Sequence, residues 1–210
     1  AMEDISKHVG RVCAHLKTLA SSNTRILIAI AGPPASGKST LAKQLQMRLN
    51  EKSMSCGLVP MDGFHLDNET LKARGLLSRK GAPETFDVKG FKKLIHKLTT
   101  EKEISVPLFD RARDCVIPDA VCIQEHHQYI IIEGNYLFLD EKLWRDLQTY
   151  WSLRVFISPS LKVLEQRLIQ RWLAHGLDAA AAKERAASND IPNAERILEQ
   201  SNLQAVDIAL

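Results

Sequence analysis

The sequence predicts an α/β fold, a mainly five-stranded parallel sheet between layers of helices, in one domain spanning 1–210. Three observations predict it. Five short apolar runs of strand length alternate with longer stretches of helical period, as in βαβ units. The first run ends in a glycine-rich turn that opens directly into a helix. The chain has 210 residues, 45% apolar and 25% charged, enough for one sizeable core, with no internal repeat or low-complexity linker. This composition excludes a disordered, collagen-like or disulfide-stapled chain.

Each element has its own warrant. Residues 2–20 read as an amphipathic helix, with Ile5, Val9, Val12, Leu16 and Leu19 at steps of three and four. Residues 25–31 form a buried strand that stops at Gly32. Residues 38–51 switch to helical period through Leu41, Leu45 and Leu49. A second strand covers 57–61, where Pro60 fits if the strand ends there. The segment 62–87 reads as loop with one helical turn, and 88–100 as a helix on Val88, Phe91, Leu94, Ile95 and Leu98. Residues 104–118 are an irregular excursion or small hairpin. Strands follow at 129–132 and 153–157, with a short helix at 140–148 between them. Helices are expected at 160–175, 178–188 and 193–203, and a last strand within 205–210.

Other features narrow the class. There are 28 Lys and Arg against 25 Asp and Glu, a formal charge of +3. No basic stripe stands out, so no nucleic-acid partner is expected. The longest apolar run, Ile26 to Ala31, is far below the ~20 residues of a membrane span. Glu3 and Asp4 precede any apolar run, unlike a signal peptide. The four cysteines form no C-x-x-C, so a reducing, cytoplasmic setting is expected. Cys115, Cys122, His126 and His127 match no common zinc spacing and read as surface loop. His8 and His15 read as exposed, and Trp144, Trp151 and Trp172 as packing residues.

The chemistry begins at Gly32-Pro33-Pro34-Ala35-Ser36-Gly37-Lys38-Ser39, which fits G-x-x-x-x-G-K-[ST]. A loop between strand and helix can wrap its N–H groups around a phosphate, and the helix start adds its positive end. Lys38 supplies a charge for the β/γ oxygens, and Ser39 a hydroxyl for Mg²⁺. The residues expected to bind a nucleoside triphosphate are Gly32, Ala35, Ser36, Gly37, Lys38, Ser39 and Thr40, with Mg²⁺ as the expected metal.

Asp62 stands at the carboxyl end of the second strand, where open parallel sheets bind ligands. It reads either as a turn-forming Asp-Gly or as a carboxylate facing the γ-phosphate, there to accept a hydroxyl proton or hold Mg²⁺ through water. Glu133 ends the strand 129–132 as a second metal candidate. The run Leu137-Phe138-Leu139-Asp140-Glu141 competes for that role. Only Glu133 to Tyr136 separates the two runs, so both cannot be sheet strands. The β-branched one is taken as strand, and Asp140 as the cap of the helix that follows.

A family resemblance rests on five stretches in order: Gly32 to Thr40, Asp62-Gly63-Phe64-His65, Gly81 to Asp87, Pro107 to Arg111 and Ile132-Glu133-Gly134. The set resembles the P-loop kinases that include uridine kinase, pantothenate kinase and phosphoribulokinase. Arg167 to Gly176, Ser188-Asn189-Asp190 and Asn193 look most like a bacterial subset labelled fructose transport system kinases or nucleoside-kinase-like proteins. The resemblance covers about 24–210. It implies a P-loop NTPase three-layer α/β/α sandwich with a helical lid at about 160–192. It also implies ATP-dependent phosphorylation of a small-molecule hydroxyl.

Carried over by position, Asp62 would be the catalytic base, with Lys38 and Arg171 beside it and Arg167 on the ATP phosphates. Phe64, His65, Asp87, Arg111 and Arg113 would touch the acceptor, and Ser39 and Glu133 the metal. Arg167 and Arg171 share one helix face at i,i+4, as a phosphate-covering pair should. The sequence departs from uridine kinases in Trp172 after Arg171, and in lacking their histidine near 110–113. A sugar such as fructose, a nucleoside and a pantothenate-like alcohol all stay open as acceptors, and the chain is expected as monomer or homodimer. Two other classes compete. A GTPase switch would use Asp87-Val88-Lys89-Gly90 as D-x-x-G, yet that stretch follows no apolar strand and no N-K-x-D occurs. An ATPase or regulatory nucleotide-binding module without an acceptor is the second.

Overall fold

The computed structural model describes residues 2–19 and 23–210. Its centre is a five-stranded sheet in the order β2-β5-β1-β6-β7, formed by Cys56–Pro60, Tyr129–Gly134, Ile26–Ala31, Leu153–Phe156 and Ile208–Ala209. All four pairings are parallel. The register aligns the carboxyl ends, with Pro60 opposite Glu133 and Ala31 opposite both Gly134 and Phe156.

Strand alternation sends neighbouring residues to opposite layers. Leu27, Ala29, Ala31, Ile130 and Ile132 enter one core with Phe91, Ile95 and Trp144. Ile28, Ile30 and Ile131 enter the other with Leu41, Leu45 and Leu49. That second layer holds α1 (Met2–Leu16) and α2 (Lys38–Glu51). The expected helix 2–20 thus ends at Leu16, and its last position, residue 20, lies outside the described residues.

Two regions differ from the sequence reading, and in a third its small-hairpin alternative holds over a longer stretch. The segment 62–87 is not one loop. It holds α3 (Asn68–Ala73), capped by Asp67 accepting from Thr70 N at 2.7 Å, and 3₁₀ turns at Met61–Phe64, Leu77–Arg79 and Pro83–Thr85. The region 140–148 is a 3₁₀ helix, Trp144–Tyr150, entered through Leu143 at φ 75°, so Asp140 does not cap it. Past α4 (Val88–Thr100), residues 104–123 form a hairpin, β3 (Ile104–Asp110) with β4 (Cys115–Ile123), apart from the main sheet.

After α5 (Leu161–Ala174) the two expected helices are one unbroken run: α6 (Ala179–Arg185), a π segment Ala186–Asp190 and α7 (Ile191–Gln200). Pro192 lacks the N–H of an α turn, and the chain widens just before it. Among the described residues no helix is long and apolar enough to cross a membrane.

Candidate active site

The turn between β1 and α2 is held tight by its glycines. A Cβ on Gly32 would lie 2.2 Å from the Ile157 carbonyl oxygen and 2.9 Å from Ser36 Oγ. Gly37, at φ 94°, caps α2 in the left-handed region that only glycine enters freely. Ser36 is buried and its Oγ has no partner, an orphan hydroxyl inside the loop. Gly32→Ala is therefore expected to distort the loop. Nucleotide affinity should fall about tenfold, equivalent to about 1.4 kcal/mol and within the 1–3 kcal/mol typical of overpacking. Isothermal titration with ATP checks this.

Lys38 opens α2 and donates from Nζ to Pro33 O at 3.3 Å. Burial lowers its pKa, while Glu133 and Asp62 pull it up and Arg171 and Arg111 push it down. Ser39 Oγ donates to Glu133 Oε1 at 3.2 Å. Glu133 is 7% exposed, and burial raises its pKa against the opposing charge of Lys38. The strand reading of 129–132 therefore delivers Glu133 to the phosphate loop. Asp140 instead pairs with Arg145 at 3.3 Å, and Glu141 with Arg196.

Asp62 follows β2, two strands from β1, yet it reaches the same centre. The turn is pinned from two sides. A Cβ on Gly63 would lie 2.3 Å from Pro107 O of the hairpin, and one on Gly134 would meet Met61 at 2.5 Å. The hairpin brings Arg111 to Asp62, Nη2 to Oδ2 at 3.2 Å. Asp62 Oδ1 accepts no hydrogen bond from the described residues. His65 Nδ1 donates to the Asp62 carbonyl at 2.7 Å, and its ring stacks on Phe109 at 4.5 Å. Burial lowers the His65 pKa against the pull of Asp62, and the ring braces the turn.

Arg167 donates from Nη1 to Ala35 O at 3.1 Å, tying α5 to the phosphate loop. Arg171 opens onto the cavity, and its pKa is lowered by desolvation and then by Arg111.

The other expected residues fall elsewhere. Phe64 turns inward, 5.0 Å from Phe91, and joins the core. Asp87 is exposed and caps α4 by accepting from Gly90 N at 3.0 Å. Arg113 points outward and pairs with Asp110 at 3.7 Å. Cys115 and Cys122 are exposed at opposite ends of β4, and His126 Nδ1 meets Ser55 Oγ at 2.8 Å. His8 and His15 are half-buried rather than exposed. Trp144 and Trp151 pack in the core, but Trp172 lines the cavity beside Arg171.

Beside a smaller cavity of about 490 Å³ against Ser39, Asp62 and Glu133, two larger ones among the described residues flank the phosphate loop. One, of about 610 Å³, has Asp62, His65, Arg111 and Arg171 on its wall. The other, of about 770 Å³, lies between α1 and α2 against Ser36, Gly37, Thr40 and Arg167. The first also holds Lys80, Asn135 and Arg185, which the sequence reading missed, and Asp190, which it quoted for the resemblance without a role. Asn135 stands two places after Glu133 at a strand end, a position that could have flagged it. Arg185, inside a helix, carries no such mark.

Three comparisons bear on this geometry. A family model described as Phosphoribulokinase / Uridine kinase family matches residues 27–201. A relative from Schizosaccharomyces pombe named "Putative uridine kinase C227.14" is 35% identical over 89% of this chain and 83% of its own length. The Escherichia coli protein YggC is 33% identical over 95% of this chain and 84% of its own. A crystal structure from Silicibacter sp. TM1040, titled a "putative fructose transport system kinase", superposes with TM-score 0.92 at 44% identity. It covers 96% of this chain and 98% of that one.

Proposed function

The chain belongs to the phosphoribulokinase/uridine kinase family of small-molecule kinases, and from that premise we propose that it moves the γ-phosphate of ATP to a hydroxyl of a sugar, nucleoside or pantothenate-like alcohol. The observation that carries the reading is the setting of Asp62. One carboxylate oxygen is tied to Arg111 and the other is open, at the cavity end shared with Arg171 and within the charge field of Lys38.

The triphosphate lies along residues 32–40, its nucleoside in the cavity between α1 and α2 and its γ end toward Asp62. The acceptor hydroxyl loses its proton to Asp62 as its oxygen bonds to the γ-phosphorus. The bond from that phosphorus to the β–γ bridging oxygen breaks, and ADP leaves with the electron pair. Lys38 and Arg171 stabilise the charge on the moving phosphoryl group, the main protein contribution to such transfers. Arg167 and Arg171 lie on a lid, about 160–192, that keeps water out.

Ser39 and Glu133 are hard oxygen donors joined at 3.2 Å, a set that fits Mg²⁺. Such an ion usually keeps few protein ligands and takes the rest from phosphates and water. When bound, it neutralises charge on the β- and γ-phosphates.

The test is a panel of sugars, nucleosides and hydroxy acids incubated with ATP and Mg²⁺, with ADP release and product mass both measured. The expected result is ADP in equal amount to an acceptor heavier by one phosphoryl group. ADP without any phosphorylated acceptor contradicts the reading and makes the protein an ATPase.

A further inference from the structure

Helix α5 ends in a turn with a single anchor. Leu164 and Leu168 bury its earlier turns. Trp172, four residues on, continues that stripe, and among residues 171–176 it alone is not exposed. Arg171 stands in this last turn, on the wall of the cavity beside Asp62. Its side chain makes no hydrogen bond or ion pair among the described residues. The direction of the guanidinium therefore depends on the backbone that carries it, and helix ends fray unless something holds them.

Trp172 is held from two sides. Its indole N–H donates to Asp190 Oδ2 at 2.6 Å, and the Arg185 guanidinium lies 5.0 Å from the ring centre in a cation–π contact. These two partners stand five residues apart in one helical run. In an α-helix, positions five apart lie about 140° apart around the axis. The segment Ala186–Asp190 instead closes its turn at i+5, with Ile191 N donating to Ala186 O. A turn of that width brings such positions onto one face. The widened turn therefore does more than accommodate Pro192, because it lets Arg185 and Asp190 meet the same ring. Asn189, in the same turn, donates from Nδ2 to Lys80 O at 3.3 Å, which ties the turn to another wall of the cavity.

We propose that Trp172 and Asp190 are positioning residues for phosphoryl transfer, their hydrogen bond fixing the last turn of α5 so that Arg171 faces the phosphoryl group in flight. The inference rests on the kinase reading above and deepens it. Neither residue touches the reacting atoms, and both act through Arg171.

The test titrates Mg²⁺ and ADP into the protein, with and without aluminium fluoride, which stands in for the phosphoryl group in flight. Mimics of a transition state bind more tightly than ground-state ligands, so the wild-type protein should gain at least about tenfold in affinity from the fluoride. Trp172→Phe keeps a ring against Arg185 and deletes the N–H donor. Asp190→Ala deletes the acceptor. Both should lose most of the gain and still bind ADP alone as the wild type does. Asp190→Asn keeps an amide oxygen for the indole and should retain most of the gain, which separates a lost bond from a lost fold. Arg171→Gln should lose the gain as well. Adding Asp190→Ala to it should cost nothing further, since residues that act through one another are not additive.

Full fluoride gain in Trp172→Phe and Asp190→Ala, a cost of Asp190→Ala that adds to that of Arg171→Gln, or weakened binding of ADP itself overturns the inference and leaves the kinase reading intact. A wild-type protein that binds ADP and gains nothing from the fluoride overturns both together.

Discussion

Asp62→Asn keeps its grip on ATP while transfer to the acceptor falls by about two to four orders of magnitude, the usual worth of a positioned general base. The amide has the size of the carboxylate, and the turn that carries it is held by other groups. Gly63 against Pro107, Gly134 against Met61 and the His65 bond to the Asp62 carbonyl all remain. The fold should therefore stand. Arg111 loses its partner, but it is 64% exposed and water replaces the carboxylate. Nucleotide affinity should hold or tighten, because a negative charge next to the γ-phosphate has gone. Single-turnover transfer and equilibrium ATP titration on the same preparation separate the two effects. Near-normal turnover removes Asp62 from the chemistry.

Lys38→Ala is expected to act on both. The ammonium sits in the loop against Pro33 O, within the field of Glu133 and Asp62, and its pKa is already lowered by burial. Removing it deletes the charge that meets the β- and γ-oxygens and leaves Glu133 buried beside one cation fewer. Glu133, pushed up by burial, then rises further because its main opposing charge is lost. Transfer should fall about a hundredfold to a thousandfold, as when one preorganised donor to a developing charge is removed. ATP should bind at least about tenfold more weakly, since a charge-assisted contact is worth about 1.5–3 kcal/mol. Stopped-flow transfer and ATP titration read both numbers. Unchanged activity contradicts the placement of the phosphate along 32–40.

What the sequence carried was local. Short apolar runs marked the strands because buried parallel strands have few polar positions to offer. The phosphate loop was legible because its glycines and lysine must stand at fixed spacing. Asp62 and Glu133 were legible because each ends a strand.

The rest depends on contacts distant in the chain. The short helix at Asn68–Ala73 has too few turns to show a period, and it stands on the Asp67 cap and on burial of Leu71. The 3₁₀ helix after Leu143 hides behind an apolar pattern that fits an α-helix equally well. The break expected near Pro192 is absorbed by a widened turn. Phe64 shares its motif with Asp62 but points the other way, because a turn sends neighbours to opposite sides. Lys80 between α3 and α4, Asn135 after β5 and Arg185 in the helical run meet only when these distant segments close around one cavity. No spacing in the chain announces that.

The most direct measurement is a crystal structure with a non-hydrolysable ATP analogue, Mg²⁺ and the acceptor found by the panel. The account predicts the analogue's terminal phosphate among the amides of 36–39, and the acceptor hydroxyl within about 3.2 Å of the Asp62 carboxylate. A terminal phosphate bound away from that carboxylate, or Asp62 turned from the acceptor, contradicts it.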